Sequence, residues 1–139
     1  MSKVIRTDFA TLTRPNKPNT FLMAPEGLCK AAKVDVVSPR YGVPAARLRQ
    51  AFLQAVIAKP RVSHSFRDDA AMYDDFVVRS FLFRFPDLIS VQFMDEKGGK
   101  STLAIYSRSV YGHSDLGVNK ARTTEWIRDL NAVFEPISA

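Results

Sequence analysis

The amino-acid sequence predicts an α+β fold: a two-layer, four-stranded antiparallel sheet with two helices in the order α-ββββ-α, preceded by an extended Pro-rich N-terminal arm. Three observations predict it. An apolar stripe at helical spacing runs through "VPAARLRQAFLQAVIAK", four later stretches alternate apolar and polar residues, and Pro15, Pro18, Pro25, Pro39 and Pro44 punctuate the start of the chain. The arm covers residues 1–43 and the domain residues 44–139.

In the arm, five prolines forbid a long helix and leave at most a short strand at "TFLMA", Thr20 to Ala24. The first helix has Pro44 suited to its first turn, and Leu48, Ala51, Phe52, Ala55 and Val56 at positions i, i+3, i+4, i+7 and i+8. Lys59 and Pro60 end it. Arg47, Arg49 and Gln50 fall off the stripe, which places them on a solvated face. Strands follow at about Val62 to Arg67, Phe76 to Phe85, Leu88 to Asp95 and Ser101 to Arg108. "DDAAMYDD" reads as a solvated connection, because its four Asp lack the turn glycine and distal Glu of a calcium loop. "DEKGGK" is a hairpin turn whose paired glycines can take positive φ.

Alternation assigns Phe81, Phe83, Ile89, Val91, Phe93, Leu103 and Ile105 to the core face of the sheet. The opposite face carries Ser80, Leu82, Arg84, Ser90, Gln92, Thr102, Ala104, Tyr106 and Arg108. That face is mixed, and Leu82, Arg84, Tyr106 and Arg108 on it have the residue types of a docking surface. The last helix runs from Ser114 or Asp115 to about Phe134. Its stripe of Trp126, Ile127, Leu130, Val133 and Phe134 packs on the face that receives the first helix.

Length and composition suit one domain with a real core: 139 residues, 46% hydrophobic, ten Phe. The single Cys29 excludes an intramolecular disulfide, and with His64 and His113 as the two imidazoles no Cys/His zinc constellation can form. Neither a metal nor a cofactor is expected. Residues 1–25 lack the apolar core of a signal peptide and no stretch reaches the length of a membrane span, so the expected location is cytoplasmic with any membrane contact peripheral. The net charge of +6 is uneven: residues 1–67 hold twelve Lys/Arg against three acids, residues 68–139 eight against eleven. A basic half suits an acidic partner protein or an anionic membrane surface; nucleic acid is not expected, because the cations are scattered and no binding motif accompanies them.

The densest polar stretch is "SRSVYGHSDLGVNKAR", Ser107 to Arg122. Each polar residue in it has a structural role open to it. Ser107 and Arg108 end a strand, Tyr111 and Gly112 turn the chain, Ser114 or Asp115 can cap a helix, and Asn119 and Arg122 share a helix side. As catalysis it is weaker. Three neighbours on a turn, His113, Ser114 and Asp115, do not make the geometry of a Ser-His-Asp triad, and the glycine spacing fits neither a Walker loop nor a dinucleotide fingerprint. Anion or partner recognition at the helix start is the functional alternative.

"YSRSVYGHSDLGVNKAR", with "FVVRSFLFRFPDLISVQFM" before it and "APEGLC" near the start, resembles the family labelled domain of unknown function fourteen ninety-nine. Its pattern S-R-x-G-x-S-D-x-G-x-N-x-x-R falls here on Ser107, Arg108 or Ser109, Gly112, Ser114, Asp115, Gly117, Asn119 and Arg122, with Arg79 and Arg84 in the preceding strand region. The resemblance spans roughly Pro25 to Phe134, and "NTFLMAPEGLCKAA" looks most like the alphaproteobacterial branch. It implies no assigned activity. Members occur in bacteria and chloroplasts, some exported or lipid-anchored and many with a Cys pair; this chain has one cysteine in place of the pair, and no such signal is expected in it.

The leading expectation is a non-enzymatic interaction protein, an accessory or assembly subunit of a larger, membrane-associated, energy-transducing complex. Its interaction or ligand candidates are Arg84, Tyr106, Arg108, Ser114, Asp115, Asn119 and Arg122. A carrier of a small apolar or acidic ligand, such as a lipid or tetrapyrrole, is the first alternative. An enzyme using Asp115, His113 and Arg122 is the second.

Overall fold

The computed structural model describes residues 6–79, 85–110, 112 and 115–137. Its elements are β1 (Thr20–Ala24), β2 (Val36–Val37), β3 (Arg40–Tyr41), α1 (Ala45–Ile57), β4 (Val62–Asp68), β5 (Tyr73–Arg79), β6 (Pro86–Glu96), β7 (Lys100–Ser109) and α2 (Val118–Asn131).

The fold is α+β with two helices on a mostly antiparallel sheet, but among the described residues the sheet has seven strands rather than four. Its order is β2-β1-β7-β6-β5-β4, with β3 also paired to β7. The three additional strands come from residues 20–41. Thr20 lies opposite Arg108 and Arg40 opposite Thr102, so this segment completes the sheet beside β7. β2 runs parallel to β1, and every other pairing is antiparallel. Two-residue strands are too short to show a period, which is why alternation does not reveal β2 and β3.

α1 begins on the extended Pro44, whose φ of −62° is preset for a helix start. The first helical N–H, of Ala45, donates to Asp95 Oδ1 of β6 at 2.7 Å, so the cap comes from the sheet. Leu48, Ala51, Phe52 and Val56 are buried as their spacing requires. At the other end, Lys59 bridges to Asp129 at 2.6 Å and Glu125 at 3.0 Å, tying the end of α1 to α2.

Between helices and sheet, Ile89, Val91, Phe93, Leu103 and Ile105 all lie in one core with Phe52, Phe76, Trp126, Ile127 and Leu130. Phe52 stands edge-on to Phe93 at 5.4 Å and to Trp126 at 5.8 Å between centroids, a favourable aromatic geometry. Phe81 and Phe83 lie outside the described residues. α2 ends at Asn131, so Val133, expected in its stripe, is exposed, while Phe134 packs partly on the core.

The opposite face of the sheet is also covered. Leu22, Ala24, Tyr73, Ala104 and Tyr106 form a second core with Phe9, joined by Leu12, Leu28, Ala32 and Val34. The N-terminal segment thus lies across the mixed face, and β7 is buried on both sides from Ser101 to Ser107. No helix among the described residues is long and apolar enough to cross a membrane.

Candidate functional site

The stretch between β7 and α2 turns on left-handed backbone: Leu116 has φ 54° and Gly117 φ 81°. These two residues delay the helix, which starts at Val118 rather than at the expected Ser114 or Asp115. Asp115 still caps it. Its Oδ1 accepts from Gly117 N at 2.8 Å and its Oδ2 from Asn119 N at 3.1 Å, which sets a carboxylate at the positive end of the helix dipole.

Asn119, fully buried, is the hub of the site. Its Nδ2 donates to Asp115 Oδ2 at 2.6 Å, Ser109 Oγ at 2.9 Å and the Asn19 carbonyl at 3.0 Å. Its Oδ1 accepts from Ser107 Oγ at 2.6 Å and from Arg122 at 2.8 Å. Arg122 also reaches Ser107 Oγ at 3.2 Å and forms an ion pair with Asp87 at 2.8 Å. Asn19 Nδ2 donates to the Gly112 carbonyl at 2.9 Å. One side chain therefore joins the end of β7, the start of α2 and the residue before β1.

Ser107, Asp115, Asn119 and Arg122, four of the pattern residues, act on one another. Each donor and acceptor named above is held inside a closed network, with Ser107 and Asn119 inaccessible to solvent. Ser114, His113 and Arg84 lie outside the described residues. Asp115→Asn is expected to lose one or two of the three bonds the carboxylate accepts, at a cost of about 1–2 kcal/mol and a fall in Tm of about 5 °C. Thermal unfolding followed by circular dichroism checks this, and an unchanged Tm would remove the capping role.

Tyr106 and Arg108, the other sequence candidates, sit under and beside the N-terminal segment. Tyr106 is 3% exposed, and burial pushes its hydroxyl above the ordinary tyrosine value. A partner reaches it only by displacing residues that pack over it. Arg108 lies 5.0 Å above the Tyr106 ring and donates to Ser90 Oγ at 3.3 Å. Next to it, Asp75 Oδ1 accepts from Tyr73 Oη at 2.6 Å and Ser90 Oγ at 2.7 Å, while Thr7 N donates to Tyr73 Oη at 2.8 Å. Cys29 lies in the same layer, and burial raises its thiol, the opposite of an activated thiolate.

A second polar cluster escapes the sequence reading. Arg49, placed on a solvated face by its helical position, is 8% exposed and grips the fully buried Asp74 with Nε and Nη2 at 2.8 and 2.9 Å. His64 Nε2 meets the same carboxylate at 2.8 Å, and its ring stacks on Phe76 at 4.9 Å between centroids. Asp69 joins from the turn, its carboxyl held below the usual range by Arg67 and then Arg49. The signal was present in "YDDFVV": if the strand starts at Tyr73, then Asp74, Phe76 and Val78 share the helix-facing side. No group of three or more His, Cys, Asp or Glu among the described residues could hold a metal.

The surface beside the network is different in kind. Leu116 is 93% exposed, and Val118, two residues on, is 46% exposed. A shallow groove of about 520 Å³ runs between β1, β2 and the start of α2, lined by Pro18, Phe21, Val36, Gly117 and Lys120 among others. Left-handed φ costs an ordinary L-residue about 1–2 kcal/mol. The Asp115 and Asn119 bonds hold Leu116 there regardless, with its side chain in solvent.

No curated protein matches this sequence. Among solved structures, the chain is similar to the crystal structure of Ara h 8.0201, with a TM-score of 0.48 and 10% identity over 82% of this chain and 95% of that one. The model of the family described as "Protein of unknown function (DUF1499)" matches residues 11–130, which takes in both layers of the sheet, the Asn119 network and the Leu116 loop, and the chain belongs to that family.

Proposed function

We propose that this protein is a non-enzymatic interaction protein, an accessory or assembly subunit that docks on a larger membrane-associated complex. One observation carries the reading. The pattern residues Asp115, Gly117 and Asn119 are engaged in architecture, and what that architecture holds out to solvent is an apolar side chain on strained backbone. Backbone strain kept at an exposed position is a feature that binding and switch segments share. The reactive groups of the pattern point the other way. Arg122 is committed to Asp87, Asn119 and Ser107, and Asp115 to the helix start.

The test is purification of the endogenously tagged protein from mildly solubilised membranes, with mass spectrometry of the proteins and small molecules recovered. A set of membrane-complex subunits in fixed ratio is the expected result. Recovery of the chain alone overturns the reading, and recovery with a lipid or pigment in stoichiometric amount replaces it with a carrier.

A further inference from the structure

Residues 6–12 lie across the sheet without joining it. Among the described residues they make no strand pairing, and one backbone–backbone bond, from Lys30 N to the Ala10 carbonyl at 3.2 Å, ties them to the rest of the chain. Side chains do the rest. Arg6 pairs with Asp68 at 2.7 Å and stands 4.5 Å over the Tyr73 ring. Thr7 donates its N–H to Tyr73 Oη and shares a bond with Ser90 Oγ, each at 2.8 Å, and Phe9 is buried in one cluster with Tyr73, Ala104 and Tyr106. A groove of about 450 Å³, lined by Ala10, Leu28, Gln92 and Met94 among others, runs beside this strap, so one flank of it is not packed shut. The polar groups underneath are bonded without it: Asp75 Oδ1 accepts from Tyr73 Oη at 2.6 Å and from Ser90 Oγ at 2.7 Å, and Arg108 donates to the same Ser90 oxygen at 3.3 Å.

We infer that residues 6–12 are a displaceable strap, and that the surface they cover is a docking groove for an extended segment of a partner protein with the strap's own chemistry: a cation, a Ser or Thr next to it, and an aromatic residue two further on. The strap shows what the groove selects. The Tyr73 and Ser90 hydroxyl protons both go to Asp75, so Tyr73 Oη is left to accept the Thr7 N–H and Ser90 Oγ to accept the Thr7 hydroxyl. Two acceptors side by side thus read the N–H and O–H of one residue. Asp68 and the face of Tyr73 read the cation, and the apolar cluster reads the aromatic ring. Once the strap leaves, Tyr73, Tyr106 and Arg108 are residue types that carry interface energy. This surface is separate from the Leu116 loop and adds a second contact to the interaction reading above. The strap is tethered, so it competes at an effective concentration of about millimolar, and a partner segment enters by binding more tightly than the strap does.

Fluorescence anisotropy of a labelled peptide copying residues 6–14, RTDFATLTR, added to the full chain tests the groove. The full chain carrying Phe9→Ala is expected to bind it at least about tenfold more tightly than the parent, whose own strap holds the groove. The same peptide with Phe9→Ala should lose at least about tenfold on that chain, and with Thr7→Val about fivefold. Hydrogen exchange tests the strap: in the parent, the Thr7 amide should exchange at least about a hundredfold faster than the Ile105 amide at the centre of the sheet. Equal exchange at the two amides, or a Phe9→Ala chain that does not fold, makes the strap part of the core and overturns the inference. A peptide that binds neither chain overturns it as well. Dimers of the parent that the free peptide dissolves would give the groove to a second copy and overturn the assignment to a partner protein. If the peptide fails while membrane-complex subunits are recovered with the tagged parent, the groove falls and the interaction reading stands. Peptide binding by a chain that is recovered alone keeps the groove and removes that reading.

Discussion

Arg49→Ala is expected to lower the Tm by about 10–15 °C, the largest effect of any single polar substitution in this protein. The reason is what remains. Asp74 is fully buried, and the guanidinium supplies two of the three hydrogen bonds that its carboxylate accepts among the described residues; without it the carboxylate sits in the core beside the His64 ring. Breaking a buried pair from one side costs about 3–5 kcal/mol, because the surviving charge has lost both its partner and its water. Removing both members avoids that. Arg49→Met combined with Asp74→Leu should recover most of the loss, and the double-mutant cycle measures the coupling. Arg49→Lys keeps the charge but not the two-pronged grip, so it should fall between. A Tm for Arg49→Ala within about 2 °C of the parent would show that solvent reaches Asp74.

Asn119→Ala is expected to cost about 3–4 kcal/mol, or about 10 °C in Tm, well above the roughly 1 kcal/mol typical of one lost hydrogen bond. The truncation breaks five bonds together: Ser109 Oγ loses its Asn119 donor, the Asn19 carbonyl is left with Ser109 N, Ser107 Oγ is left with Arg122, and Asp115 and Arg122 each lose one bond. Ser107→Ala, which removes one member and leaves Asn119 with Arg122, should cost about 1 kcal/mol. Asn119→Asp preserves shape while turning the donor amide into an acceptor facing Asp115 Oδ2 at 2.6 Å, so it should be no milder than alanine. Thermal melts of the three variants check the order. If Ser107→Ala equals Asn119→Ala, the hub is the serine.

The strands with a clean period were legible. Alternation identifies Ile89, Val91, Phe93, Leu103 and Ile105 as core, and the left-handed Gly98 and Gly99 turn β6 into β7 as the paired glycines require. Two kinds of residue resisted. The polarity of Asp74 and Arg49 points each of them to solvent, yet each is a charge that becomes tolerable in the interior through the other, and a pairing between a helix and a strand twenty-five residues apart leaves no local trace. Asp115 and Ser114 have the chemistry of a cap and so point to an earlier start of α2, while the left-handed turn at Leu116 and Gly117 is set by bonds to Asn119 that only the folded chain supplies. The face opposite the helices is mixed in its residue types. That its cover is the chain's own first thirty-odd residues follows from strand pairing, which residue types along the arm do not encode.

The pairing of β1 and β3 with β7 also sets the order in which the chain can fold. Thr20 bonds beside Arg108, and Arg40 beside Thr102, so the centre of the sheet cannot close until nearly the whole sequence exists. During synthesis the hairpins β4–β5 and β5–β6 can form early, but residues 9–34 must wait, with Phe9, Leu22 and Leu28 uncovered, for a strand some eighty residues downstream. Such long-range closure is slow and leaves apolar segments open to chaperones or to neighbouring chains. The last strand to leave the ribosome is the one every earlier layer needs, so a chain truncated before β7 should lose the whole architecture and not just its final helix.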